Sequence, residues 1–141
     1  MSTPTPPISA EAPHVDESLI TYTHVIYGLH ALAVLIGLST AHTIVGSFVG
    51  GLPSIVAVIM NYARRAATRG TFLESHFRWQ IRTFWFALLW SVVIVLVSAP
   101  FMLVLIGFGF AWAGLFALGI WIAYRVIRGW LALKDRRPMY V

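Results

Sequence analysis

The sequence predicts an all-α, polytopic membrane protein: four transmembrane helices in one bundle, the second of them short or broken. Three observations predict it. Charge is scarce, with 11% charged residues against 59% apolar ones, where a soluble domain usually carries about 25% charge. A chain so composed cannot cover its surface in water, but the hydrocarbon core of a bilayer removes that need. The charges are also segregated. Residues 18–63 (46 positions) and 83–124 (42 positions) contain no Asp, Glu, Lys or Arg, and one span needs about 20 residues, so each run accommodates two spans and a turn. Finally, the 10 Lys and Arg residues all fall in two clusters, at 64–82 and 125–137. With four spans these clusters and both termini face one compartment, the arrangement of a cytoplasmic face under the positive-inside rule.

The elements follow in order. Residues 1–17 are polar, rich in proline and free of Lys and Arg, which reads as a disordered cytoplasmic tail and not as a signal peptide. The membrane domain then covers 18–133. Its first helix is expected at about 22–38. A turn, or a re-entrant segment, is expected within 39–51, where Ser, Thr and Gly gather. Pro53 suits a first helical turn, so the second helix is expected from about 52 to 65, short for a full span. In the basic loop, Glu74 and Arg78 stand at i, i+4 with the acid first, the favourable order on a helix surface. That segment leads into a third helix at about 77–99, which Pro100 ends or kinks. Gly107 and Gly109 are expected to form the far connection. The fourth helix is expected at 111–133, with Trp121, Tyr124 and Trp130 as its aromatic belt. A basic cytoplasmic tail, 134–141, follows.

The net charge of +5 invites a nucleic-acid reading. The segregation of the charges beside long apolar runs argues for topology instead. The chain has no cysteine, which excludes disulfides, thiolate chemistry and cysteine metal sites.

Ionisable groups inside a membrane are costly and often functional. His30 is the clearest. Its first reading is a neutral side chain hydrogen-bonded across helices; its second is a cofactor ligand or proton carrier. His24 and His42 flank it, but no His pair stands at i, i+3 or i, i+4, and neither metal nor cofactor is expected. Arg78, Arg82, Arg125 and Arg128, with Trp79 and Trp85 beside them, read first as topological anchors and then as a site for lipid headgroups or a protein partner. An interhelical pair between Glu74 and Arg125 or Arg128 is a further expectation. Small residues at Ala33, Gly37 and Ala41, and at Gly119 and Ala123, suit close helix packing within the monomer. Phosphate loops, nucleophile elbows, zinc helices and dinucleotide fingerprints are missing.

Two segments together, 71–85 and 124–133, with the early His30 and the half-helix at 53–65, resemble a family of small bacterial membrane proteins related to the twenty-kilodalton subunit of the Tic translocon of chloroplasts. His76, Gln80 and Ile81 match that family best, with Glu74 as the acidic residue of the motif. The resemblance covers roughly residues 20–140. It implies a four-helix bundle in the bacterial inner membrane and, by analogy with the plant relatives, a channel-forming or scaffolding role.

Two function classes follow. One is a structural or accessory subunit that binds membrane lipids or another membrane protein. The other is a channel or carrier component for a small solute or peptide, lined by His30, Ser39, Thr40, Thr43, Ser91 and Ser98. The spans contain no paired catalytic groups, so an enzyme is not expected.

Overall fold

The computed structural model describes residues 14–40 and 44–139, with the backbone alone at 44–49. The described residues form four α-helices and no strand: α1 (Glu17–Thr40), α2 (Ile44–Arg64), α3 (Phe72–Ser98) and α4 (Ile106–Lys134). Short 3-10 turns follow α2 (Arg65–Thr68) and α3 (Ala99–Val104). Among the described residues, three segments are long and apolar enough to cross a membrane: Glu17–Thr40, Phe72–Val104 and Ile106–Lys134. The shorter α2 is the fourth member. The chain is therefore an all-α protein of membrane-protein character with a short second helix. Positions 1–13 of the expected N-terminal tail, positions 41–43 of the expected turn and the last two residues lie outside the described residues.

Each helix boundary has a local cause. α1 begins five residues before the expected start, because Asp16 caps it. The Asp16 side chain accepts from the Ser18 N–H at 2.9 Å, and its carbonyl accepts from Leu19 and Ile20, the pattern of an acidic N-cap. Those Ser18 hydrogen bonds favour the charged form and hold the Asp16 carboxyl below the ordinary value of 3.8.

The second helix departs from expectation. It starts at Ile44, so Pro53 sits inside it and not at its first turn. A proline there withholds one hydrogen bond from the turn before it. The helix nevertheless continues through Pro53, packed against α1. Gly50 meets Gly37 of α1 so closely that an added Cβ would lie 3.0 Å from the Gly37 backbone.

The far turn is also built differently from expectation. Leu105 makes it, in the left-handed region at φ 62, a conformation that costs an L-residue roughly 1–2 kcal/mol. Gly107 already belongs to α4. A Cβ there would strike the backbone of Ser98, Phe101 and Met102, so its glycine permits a close approach and does not supply a bend. Gly109, within the same helical turn, faces open space.

The helices pair as two hairpins, α1 with α2 and α3 with α4, and α1 crosses α4 to join them. α1 is the central element, 39% buried over its apolar window against 6% and 11% for the other two spans. The core lies towards the basic end. One cluster holds Leu19, Ile20, Tyr27, Leu73, Val126 and Leu133, and a second holds Ile26, Ala57 and Phe77. Towards the opposite end, Leu96, Val97, Leu103, Leu105, Phe108 and Phe110 are exposed. In a lipid solvent such side chains need no cover.

Candidate functional site

The basic end of the bundle holds a polar node built by α1, α3, α4 and the tail. Tyr27 of α1 is fully buried. Its ring packs where α4 carries Gly129, and a Cβ at Gly129 would come within 2.5 Å of the Tyr27 hydroxyl. That hydroxyl lies 2.9 Å from His76 Nδ1, and His76 Nε2 lies 2.7 Å from the Arg137 carbonyl. A carbonyl only accepts, so Nε2 carries the proton and Nδ1 accepts from tyrosine. His76 thus ties three segments with both ring nitrogens. Phe72 and Tyr27 approach its ring edge-on, with centroids at 6.0 and 5.9 Å.

The C-terminal tail reaches His76 because α4 ends in a Schellman turn. Arg136 takes a left-handed conformation at φ 52, its N–H donates to the Leu133 carbonyl, and the Arg137 N–H donates to that of Ala132. The chain then turns back along α3. The Met139 N–H donates to Ser75 Oγ at 2.9 Å, and Arg136 pairs with Glu17 at 2.6 Å. Residues 134–139, expected as a basic tail, are docked against the helices. Trp130 closes the same end by donating to His24 Nδ1 at 2.9 Å.

A second group of side chains surrounds a cavity of ≈ 10 Å³ lined by Tyr27, His30, Trp79, Gln80, Thr83, Arg125 and Val126. That is room for about one water molecule. His30 Nδ1 lies 3.1 Å from Ser54 Oγ of α2, while His30 Nε2 and both amide atoms of Gln80 are buried without a protein partner among the described residues. Buried polar atoms of that kind are uncommon and costly. Asn61 of α2 is buried in the same condition.

Arg125 stands at the edge of this group. Its Nε–H donates to Thr83 Oγ1 at 2.8 Å. Its guanidinium lies 3.6 Å from the Trp79 ring centroid and 5.0 Å from that of Trp121, both within cation–π range. Trp79 in turn donates its indole N–H to the Arg125 carbonyl at 3.2 Å. Below Trp121, α3 and α4 part to leave a groove of ≈ 350 Å³ lined by Trp90, Ile94, Gly114, Leu118 and Trp121.

The structure thus gathers His30, Trp79, Gln80 and Arg125 around one cavity and sets His76 beside it through Tyr27. The other sequence candidates do not line that cavity. Glu74 does not reach Arg125 or Arg128; it pairs with Arg78 at 3.3 Å and accepts the Gly70 N–H at 3.1 Å. Arg128 donates to Tyr124 on its own helix. Trp85 faces α2 and donates to the Tyr62 hydroxyl. Arg82 is exposed, with no carboxylate in reach among the described residues. Sequence reasoning missed Tyr27, Thr83 and the tail backbone. Tyr27 lies three residues before His30, on the same helix face, which was a usable signal. The backbone partners of His76 and Ser75 leave no trace in residue type.

No family model matches the sequence, and no curated protein or solved structure matches it significantly.

Proposed function

We propose that this protein is a structural or accessory subunit of the bacterial inner membrane, with both termini cytoplasmic, that binds lipids or a partner membrane protein through its helix surfaces and its basic end. The observation that carries this reading is the pairing of two surfaces. Large apolar side chains of α3 and α4 are exposed along most of their length. At one end of those helices stand Arg82, Arg125 and Arg128, none of them paired with a carboxylate among the described residues. Such a combination suits a lipid interface, where arginines meet headgroups and apolar stripes meet acyl chains. Kinship with the small bacterial proteins related to the Tic subunit belongs to the same proposal, and so does a non-catalytic role.

The second reading, a channel or carrier component, has less support. The cavity beside His30 has room for about one water molecule and offers no conduit. Extraction of native membranes with a mild detergent, followed by affinity capture and mass spectrometry, tests the two. An accessory subunit yields a stoichiometric membrane-protein or lipid companion and no liposome flux. Solute flux that vanishes in His30→Ala would reverse the ranking.

A further inference from the structure

The groove between α3 and α4 ends at the Arg125 guanidinium, which is held in place and has no carboxylate partner among the described residues. On α4, Arg125, Trp121, Leu118 and Gly114 stand at i, i−4, i−7 and i−11, one continuous stripe of a helix. On α3, Trp79, Thr83, Trp90 and Ile94 stand at i, i+4, i+11 and i+15, again one face of a helix. The upper members of both stripes hold Arg125: Thr83 accepts its Nε–H, and the two tryptophans flank its plane. The lower members line the groove. Trp121 belongs to both, so the guanidinium sits at one mouth of the groove. Gly114 keeps that groove shallow-floored, since a Cβ there would press Ile94 at 2.9 Å.

Arg125 is oriented but not satisfied. Its Nε is used, and its two terminal nitrogens have no partner among the described residues. The charges of Arg82 and Arg128 both bear on it. Three like charges at one place repel each other, and among the described residues no carboxylate pairs with them. The site lies at the boundary of the 42-residue uncharged stretch, where the headgroups of a bilayer would stand. A planar guanidinium with two free N–H-bearing nitrogens suits two phosphate oxygens at once. A volume of ≈ 350 Å³ falls in the range of roughly 300–1,000 Å³ typical of clefts for small ligands.

We propose that Arg125, with Arg82 and Arg128 beside it, seats the phosphate of one anionic phospholipid whose acyl chain lies in the α3–α4 groove. The inference rests on the membrane-subunit reading above and names its ligand class. Charge complementarity selects this occupant over a zwitterionic lipid. A zwitterionic headgroup brings its own cation to a place that already holds three.

The test is retention of lipid by the full-length protein, purified in a neutral detergent and titrated with phosphatidylglycerol or with phosphatidylcholine of the same chains. Native mass spectrometry counts the bound lipid, and thermal unfolding reports its effect. The expected result is one phosphatidylglycerol retained per chain, raising Tm, with phosphatidylcholine much weaker. Arg82→Gln with Arg128→Gln should weaken phosphatidylglycerol about 30-fold, the loss expected when two surface arginines no longer face an anionic headgroup. Leu118→Trp, which fills the groove and spares every arginine, should also abolish retention. Circular dichroism checks that both variants remain helical. Equal retention of the two lipids, or phosphatidylglycerol binding untouched by both variants, overturns the proposal. A detergent-stable dimer that buries the groove without lipid overturns it as well. Alkaline washing of the source membranes separates the two levels: a chain that washes off defeats the membrane-subunit reading itself, whereas a chain that stays but shows no headgroup preference defeats only the lipid site.

Discussion

The two ends of the bundle are held by different means. At the basic end, side chains cross between elements: Tyr27 to His76, His76 to Arg137, Ser75 to Met139, Trp130 to His24 and Glu17 to Arg136. At the opposite end, around Leu105, no side chain of residues 99–105 makes a hydrogen bond in the structure described. There the chain is closed by backbone proximity, with Gly107 set against Ser98, Phe101 and Met102. The contrast follows from solvent. An end that meets water and headgroups can keep polar side chains in use. A turn as apolar as Ala99–Val104 can only be tightened by letting backbones touch.

That contrast can be broken at either end. The largest effect is expected at Gly107. Gly107→Val places atoms where backbone already stands, and overpacking of this kind costs about 3 kcal/mol or more. The matched control is Gly109→Ala, which meets open space and should be neutral or slightly stabilising through helix propensity. Reversible unfolding in mixed detergent micelles reads both. If Gly107→Val proves as harmless as the control, the far turn is not closed as described.

The basic end should respond next. His76→Ala strands the Tyr27 hydroxyl and the Arg137 carbonyl and opens a cavity, for a loss of about 2–4 kcal/mol. The loss should come with faster amide exchange at Met139, because the tail loses its anchor. A smaller cost, about 1–3 kcal/mol, is expected for Gly129→Ala, which pushes against the Tyr27 ring. If the tail stays protected in His76→Ala, the stitching is decoration and the apolar clusters hold that end alone.

Much of this was legible in the residues, and the rest failed for identifiable reasons. The two charge-free runs and the placement of arginines gave four helices and their order, because bilayer solvation acts on composition, which a sequence displays directly. The stop at Pro100 and the Glu74–Arg78 helix pair were local and therefore visible. Pro53 misled, since its preference for a first turn was overridden by the close contact of Gly50 with Gly37, a tertiary fact. Gly107 and Gly109 looked alike as turn residues, yet one serves packing and Leu105 makes the turn. For the site, His30 and Arg125 stood out by type, whereas His76 and Gln80 were singled out through the family resemblance. Their separate duties did not, because these depend on Tyr27, Thr83 and a docked tail whose backbone carries no side-chain signature.

The smallest effects belong to the rim. Arg136→Ala removes an exposed ion pair and should cost no more than about 1 kcal/mol, less at high salt. The Asp16 cap adds a weak pH dependence of known sign. Its folded-state carboxyl lies below the ordinary 3.8, so the cap's contribution is complete above that value and fades as pH falls through the folded-state one. Amide exchange in the first turn of α1 should therefore quicken in acid, and Asp16→Asn should remove that dependence.

The absence of native cysteine makes one measurement especially direct. Arg69→Cys, Arg136→Cys and Leu103→Cys can be made singly and labelled in sealed inverted membrane vesicles with a maleimide that does not cross lipid. Two membrane hairpins with a shared basic face require Arg69→Cys and Arg136→Cys to label from outside those vesicles, and Leu103→Cys to label only after they are opened. Labelling of positions 69 and 136 from opposite sides would contradict the bundle at its root.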